Sequence, residues 1–258
     1  MRTSRRVLLP GNQSPHDVLV SRACFADVEI EHLITTASGH LGRARVSDTV
    51  ASQATKVPGG ESNTRTNSVA WLTGCGDPIL EALEDKLCDI VACPPENTEE
   101  FQVIYYEKNQ EYRPHYDSYD MRNEHGQLNT VRGGNRLITM LLYLSDVEEG
   151  GGTSFPNLGI TVQAKKGRLL VFYNVRPVTC PGFYPDGPTQ AYVPEPNALH
   201  SGDPVIAGTK WAVNKWVRQR EMKPPRPRRL APPGTDVDAS AHATDALDFS
   251  KLAVGSGA

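Results

Sequence analysis

The chain has 258 residues, enough to bury a full hydrophobic core, and a β-barrel of that length commonly forms a single domain. Its formal net charge of -3 supplies no basic excess for phosphate binding, so nucleic acid is not an expected partner. No apolar stretch approaches the ~20 residues needed to span a bilayer, and five cysteines without a CxxC pair argue against a zinc ribbon.

The first 20 residues read as a polar tail, because the apolar run Val7 to Leu9 stops at Pro10 and is too short for a signal-peptide core. A soluble, cytoplasmic chain is the expectation. From Val28 to Ala37, Ile30, Leu33, Ile34 and Ala37 recur at helical spacing, with Gly39 as a C-terminal stop. Residues 42–68 are rich in Ser, Thr, Gly and Asn around Pro58-Gly59-Gly60, which predicts a long mobile loop.

A second helix begins where Asp77 caps and Pro78 takes the first position. Its apolar face carries Ile79, Leu80, Leu83, Leu87, Ile90 and Val91, and it ends near Cys93, before Pro94 and Pro95. From Phe101 the pattern changes to β-rich runs: 101–106, 137–144, 160–163, 168–173 and 211–217. Helices followed by many short strands predict a mainly β, α+β domain over residues 21–220, with helices packed on a barrel or sandwich. Residues 221–258 begin with the basic, Pro-rich run Lys223 to Arg229 and hold few apolar anchors, so a disordered tail is expected. Free thiols are expected in a reducing compartment, with a disulfide involving Cys75, Cys88 or Cys93 in a secretory lumen as the alternative.

The chemistry concentrates in Tyr112-Arg113-Pro114-His115-Tyr116-Asp117. In an extended segment, positions 115 and 117 point to one face and can converge on an ion. That pair alone is weak. Downstream stand His200, in Asn197-Ala198-Leu199-His200-Ser201-Gly202, and then Lys210 at the start of a strand. Two imidazoles and one carboxylate leave about three positions open on a metal, the arrangement of non-haem iron(II) oxygenases. Iron(II) on His115, Asp117 and His200 would leave room for 2-oxoglutarate and dioxygen, and Lys210 would receive the buried distal carboxylate. On the strand, Lys210, Ala212, Asn214 and Trp216 share one face, while Trp211, Val213, Lys215 and Val217 share the other. His125, in a polar stretch, is the alternative ligand.

Several blocks resemble, in order, the catalytic domains of the prolyl 4-hydroxylase family. They are Arg65-Thr66-Asn67 with Trp71-Leu72, Pro95-Glu96-Asn97 with Gln102, Tyr106 with Gln110, Tyr112, His115 and Asp117, and Arg136 to Leu144. Gly150-Gly151-Gly152-Thr153 with Phe155-Pro156, Lys166-Gly167 with Phe172, and His200 to Trp216 complete the set. The resemblance implies a double-stranded β-helix, or jelly roll. It further implies iron(II), the co-substrates 2-oxoglutarate and O2, L-ascorbate as reductant, and a proline-containing peptide as substrate. It assigns Tyr106 and Thr139 to the 2-oxoglutarate pocket and Arg136 and Trp216 to the peptide, and it makes residues 46–67 a loop over the bound peptide. It also offers the endoplasmic reticulum lumen as an alternative compartment. Three departures stand out: Asn109 in place of the usual Gly, Gly152 in place of the usual Glu, and a longer, more turn-rich stretch from Asn174 to Asn197. A nucleic-acid demethylase of the same superfamily, a zinc hydrolase and a non-catalytic jelly-roll binding module are the alternatives.

Overall fold

A computed structural model of the chain describes residues 18–22, 25–44, 63–179 and 190–225. In chain order the elements are β1 (Leu19–Arg22), α1 (Asp27–Ser38), β2 (Gly42–Arg43), β3 (Ser68–Leu72), α2 (Pro78–Val91) and β4 (Phe101–Tyr106). There follow β5 (Tyr112–His115), α3 (Glu124–Thr130), β6 (Arg136–Tyr143), β7 (Glu149–Gly150), β8 (Thr153–Phe155) and β9 (Ile160–Val162). The last are β10 (Arg168–Tyr173), β11 (Val175–Thr179), β12 (Gln190–Pro194), β13 (His200–Gly202), β14 (Val205–Ala207) and β15 (Lys210–Arg218).

The larger sheet runs β1-β10-β6-β15-β4-β3-β2, and a smaller sheet runs β5-β13-β8-β9. All the pairings within them are antiparallel. Strand β15 sits at the centre of the larger sheet, and its alternation divides the molecule. Val213 and Val217 enter a core shared with α1 and α2, where Leu33, Leu83, Leu87 and Phe101 are also buried. Ala212, on the other face, enters a second core with Tyr143, Phe155, Leu170 and Phe172. Phe155 and His200 come from the smaller sheet, so this second core and its open end lie between the two sheets, as in a jelly roll.

Helix α2 forms as its sequence dictates. The Asp77 carboxylate accepts from the amides of Ile79 and Leu80, a cap that stabilises by about 1 kcal/mol. Ala92 takes the left-handed conformation at φ 50°, and the Cys93 amide returns to the Cys88 carbonyl, closing the helix with a Schellman turn. Ile90 departs from the predicted apolar face and is exposed, because the stripe that meets the sheet runs through Leu83, Leu87 and Val91. Cys88 and Cys93 are buried free thiols and Cys75 is an exposed one, which is the reduced arrangement expected; Cys24 and Cys180 lie outside the described residues.

Four other expectations change. Leu19 and Val20, read as tail, pair with β10 at the edge of the larger sheet. Gly42 and Arg43 pair with β3, and Arg65 and Asn67 are buried, so both ends of the supposed mobile loop are built into the domain; residues 45–62 lie outside the described residues. The turn-rich stretch after Asn174 includes a paired β11 and β12. His125 stands on α3, capped by Asn123, not in a loop; the helix is short and leaves Leu128 exposed, so no apolar stripe announces it. Beyond Pro225 the expected disordered tail lies outside the described residues, as does most of the N-terminal tail. No helix among the described residues is long and apolar enough to cross a membrane.

Candidate metal and co-substrate site

His115 ends β5 and His200 begins β13, and the two are directly paired across the smaller sheet. Asp117 lies just past β5, in a bend that turns its carboxylate back between the imidazoles. The His115 Nε2 stands 3.6 Å from Asp117 Oδ1, and the His200 Nε2 stands 3.7 Å from Asp117 Oδ2. Among the described residues this is the group of three metal-ligand side chains whose donor atoms all fall within 4.8 Å of one another.

The donors are chemically ready for a cation. His115 Nδ1 hydrogen-bonds the Arg113 carbonyl at 2.8 Å and His200 Nδ1 the Ala198 carbonyl at 2.9 Å. A carbonyl only accepts, so each Nδ1 carries a proton, and each Nε2 faces the shared space. Burial lowers His200 to about 4, with the neighbouring His115 adding to the effect, so its ring is neutral near pH 7, as a ligand must be. Burial opposes the charge on Asp117, but His200, His115 and Arg136 around it hold the carboxyl well below the ordinary range. Two imidazoles and one ionised carboxylate, open on one side, fit a divalent ion such as iron(II).

The carboxylate is held from behind. Its Oδ2 accepts from the Thr139 hydroxyl at 2.6 Å and from the Trp216 indole at 2.9 Å, which leaves Oδ1 as the less encumbered donor. Thr139 in turn accepts from Asn174 Nδ2 at 2.8 Å. Arg136 makes two hydrogen bonds to Glu99, at 2.6 and 2.8 Å, and lies 3.6 Å from the centre of the Trp216 ring. Tyr112 stacks on His115 at 3.5 Å, and Phe172 meets His200 edge-on at 4.8 Å.

A cavity of about 270 Å³ opens in front of these groups, lined also by Arg65, Trp71, Gln102, Tyr106, Thr153 and Lys210. Lys210 is 1% exposed, and among the described residues no carboxylate comes within salt-bridge reach of it. Its ammonium contacts the Gly152 carbonyl at 3.4 Å and faces the rings of Tyr106 and Tyr143 at 5.0 and 5.5 Å. Burial lowers it to about 8, partly offset by Asp203. Tyr106, pushed up to about 12 by burial, stays a neutral phenol beside it.

The structure therefore brings together His115, Asp117, His200, Lys210 and Tyr106. Thr139 reaches the site through Asp117, and Arg136 and Trp216, expected at the peptide, line the cavity, Trp216 donating to that carboxylate and Arg136 to the Asp117 backbone carbonyl. His125 takes no part; its ring contacts Asn129 on α3. Asn174 was missed, since a partner far away in sequence leaves no local signal. The departures from the family pattern have physical correlates. Asn109 adopts a positive φ of 66°, which Asn tolerates better than most residues. A Cβ at Gly152 would lie 2.8 Å from Thr161 Cγ2 and 3.3 Å from the Asp203 carboxylate, so that space is already taken.

Residues 101–218 match the model of the 2OG-Fe(II) oxygenase superfamily, a match that implies iron(II) and 2-oxoglutarate. Prolyl 4-hydroxylase 2 of Arabidopsis thaliana is 35% identical over 214 residues, covering 75% of this chain and 64% of that protein. Prolyl 4-hydroxylase 5 of the same plant is 34% identical, covering 81% and 68%. In fold, the chain is similar to the viral collagen prolyl hydroxylase of Paramecium Bursaria Chlorella virus-1, solved as a 2-oxoglutarate complex. The TM-score is 0.55 at 24% identity, over 80% of this chain and 97% of that one.

Proposed function

This chain belongs to the prolyl 4-hydroxylase family of 2-oxoglutarate- and iron(II)-dependent oxygenases, and on that premise we propose that it hydroxylates proline within peptides at C4. One observation carries the reading: a metal-ready triad shares one cavity with a buried lysine that meets no carboxylate among the described residues. Nothing in the fold requires Lys210 to be charged there, and a ligand carboxylate supplies the missing partner.

In this reading His115, Asp117 and His200 hold iron(II), and Lys210 with Tyr106 receives the distal carboxylate of 2-oxoglutarate. Iron(II), 2-oxoglutarate and O2 together supply the oxidising chemistry that replaces a C–H hydrogen by hydroxyl, with succinate and carbon dioxide as co-products, and L-ascorbate serves as reductant. The protein contributes position and dryness. Trp216 and Thr139 fix the tilt of Asp117, Tyr112 and Phe172 wedge the imidazoles, and the buried walls around Lys210 keep water from its carboxylate partner. Arg65 and Arg136 line the same cavity, where in this reading they meet the peptide.

The test is direct. With iron(II), ascorbate, air and proline-rich peptides, the purified protein is expected to convert 2-oxoglutarate to succinate in step with addition of one oxygen atom to proline. Iron-independent turnover, or none across a broad peptide panel, would refute the proposal.

A further inference from the structure

We propose that Trp71 is a specificity-determining residue: its exposed indole takes a second proline ring of the peptide, about one polyproline II turn from the residue that is hydroxylated. This rests on reading the chain as a peptidyl-proline hydroxylase.

Trp71 is half exposed, and its indole borders the cavity of the metal-ligand triad. Among the described residues the exposed large apolar side chains include two aromatic ones, Trp71 and Tyr116, and both line the cavity of the metal-ligand triad. The others, such as Val28, Leu128 and Val131, lie away from it. Strand alternation explains the placement. Ala70 and Leu72 are buried in the helix-side core, so Val69 and Trp71 take the opposite face, and Val69 packs against the core between the sheets.

Across the sheet Trp71 pairs with Gln102, Gln102 with Asn214, and Asn214 with Leu141. All four line the cavity, so they form one continuous row across its floor. Lys210 lies four positions from Asn214 along β15, roughly 13 Å at strand rise. The row thus belongs to the end of the cavity away from the co-substrate lysine, and that is the end left for the peptide.

Distance sets the register. The Trp71 ring centre is 6.0 Å from that of Trp216, and the Trp216 indole nitrogen is 2.9 Å from the Asp117 carboxylate. That chain of contacts bounds the distance from Trp71 to the Asp117 carboxylate, and one polyproline II turn, about 9 Å, fits within that reach. A proline three residues from the target returns to the same side of such a helix, whereas one two residues away does not. Trp216 lies behind Trp71, so the indole has little freedom to lose when a proline ring settles on its outer face.

The experiment compares three host peptides: one with a single proline, one with a second proline three residues away on either side, and one with it two residues away. Binding is measured by calorimetry to the protein loaded with iron(II) and 2-oxoglutarate without dioxygen, and turnover in air is measured in parallel. The three-residue spacing is expected to bind about three- to tenfold tighter than the other two. Trp71→Ala is expected to erase that preference while leaving 2-oxoglutarate affinity unchanged, and Trp71→Phe to keep part of it. Equal binding of all three peptides by the wild type, or a preference that survives Trp71→Ala, overturns the proposal. Absence of turnover despite the binding preference would instead count against the hydroxylase reading and leave the Trp71 site standing.

Discussion

Strand β15 carries two lysines that are buried to the same degree and surrounded in opposite ways. Lys215, on the helix side, meets Glu84 at 2.5 Å, donates to the Glu99 carbonyl and lies over the Phe101 ring at 4.0 Å. Around it, Lys223 joins Glu84, and Arg136 and Arg218 share Glu99, at 2.6 and 2.8 Å. These lysines pull Glu84 down to about 2 against the opposing effect of burial. Lys210, five residues back on the cavity side, has a carbonyl contact and two ring faces but, among the described residues, no carboxylate at salt-bridge distance. A closed ion cluster satisfies its own charges and serves the fold; an open one leaves donors and charge for something that arrives. Asp117, His115 and His200 belong to the second kind.

The sharpest way to break this contrast is to remove a donor from the open side. On the proposed assignment, His200→Ala is expected to lower turnover by at least about a thousandfold, because the metal would lose one of three protein ligands. Titration with cobalt(II), read from its visible absorption, checks that the loss is of metal binding. Next, Lys215→Met should destabilise the fold by about 2–4 kcal/mol in urea, since it strips one partner from a buried carboxylate; Lys223 limits the damage. Lys210→Met should do the reverse at pH 7, stabilising the free protein by roughly 1–3 kcal/mol, because it removes a buried ammonium without a counter-ion.

The pH dependence follows the same logic. The Lys210 pKa is lowered to about 8 in the folded chain, below an unfolded value of about 10.4, so between them the unfolded state binds more protons and this residue's contribution to stability rises with pH. On the proposed role of Lys210, binding of 2-oxoglutarate needs its protonated form. Its affinity should be level below pH 8 and fall about tenfold per unit above it, as read by calorimetry. The smallest expected effect is at the brace: Trp216→Phe keeps the ring but deletes one of two donors to Asp117 Oδ2, weakening metal affinity about tenfold.

Much of the order of elements was legible in the sequence because it rests on local patterns, and the three candidate ligands named there lie together in the structure. Asp77-Pro78 announces α2, strand runs announce β4, β6 and β10, and alternation along 210–217 separates Lys210 from Lys215 before any contact is known. The pairing partners were not legible. Nothing near Thr139 or Trp216 indicates that both end on Asp117, and nothing near Glu84 foretells Lys215, because those contacts join segments distant in sequence. Leu19–Arg22 failed for a related reason: four residues are too few to show a period, and their strand exists only because β10 offers an open edge. Gly152, a departure in the sequence, becomes intelligible only when Thr161 and Asp203 are seen around it.

The central claim is that Lys210 is held unpaired so that it can receive a ligand carboxylate. Calorimetric titration of 2-oxoglutarate into iron(II)-loaded wild type and Lys210→Met at pH 7, without dioxygen, tests it most directly. The account predicts at least about a hundredfold loss of affinity in the variant, as for removal of one partner of a buried charge pair, together with a higher melting temperature. Unchanged 2-oxoglutarate affinity in the variant would contradict it.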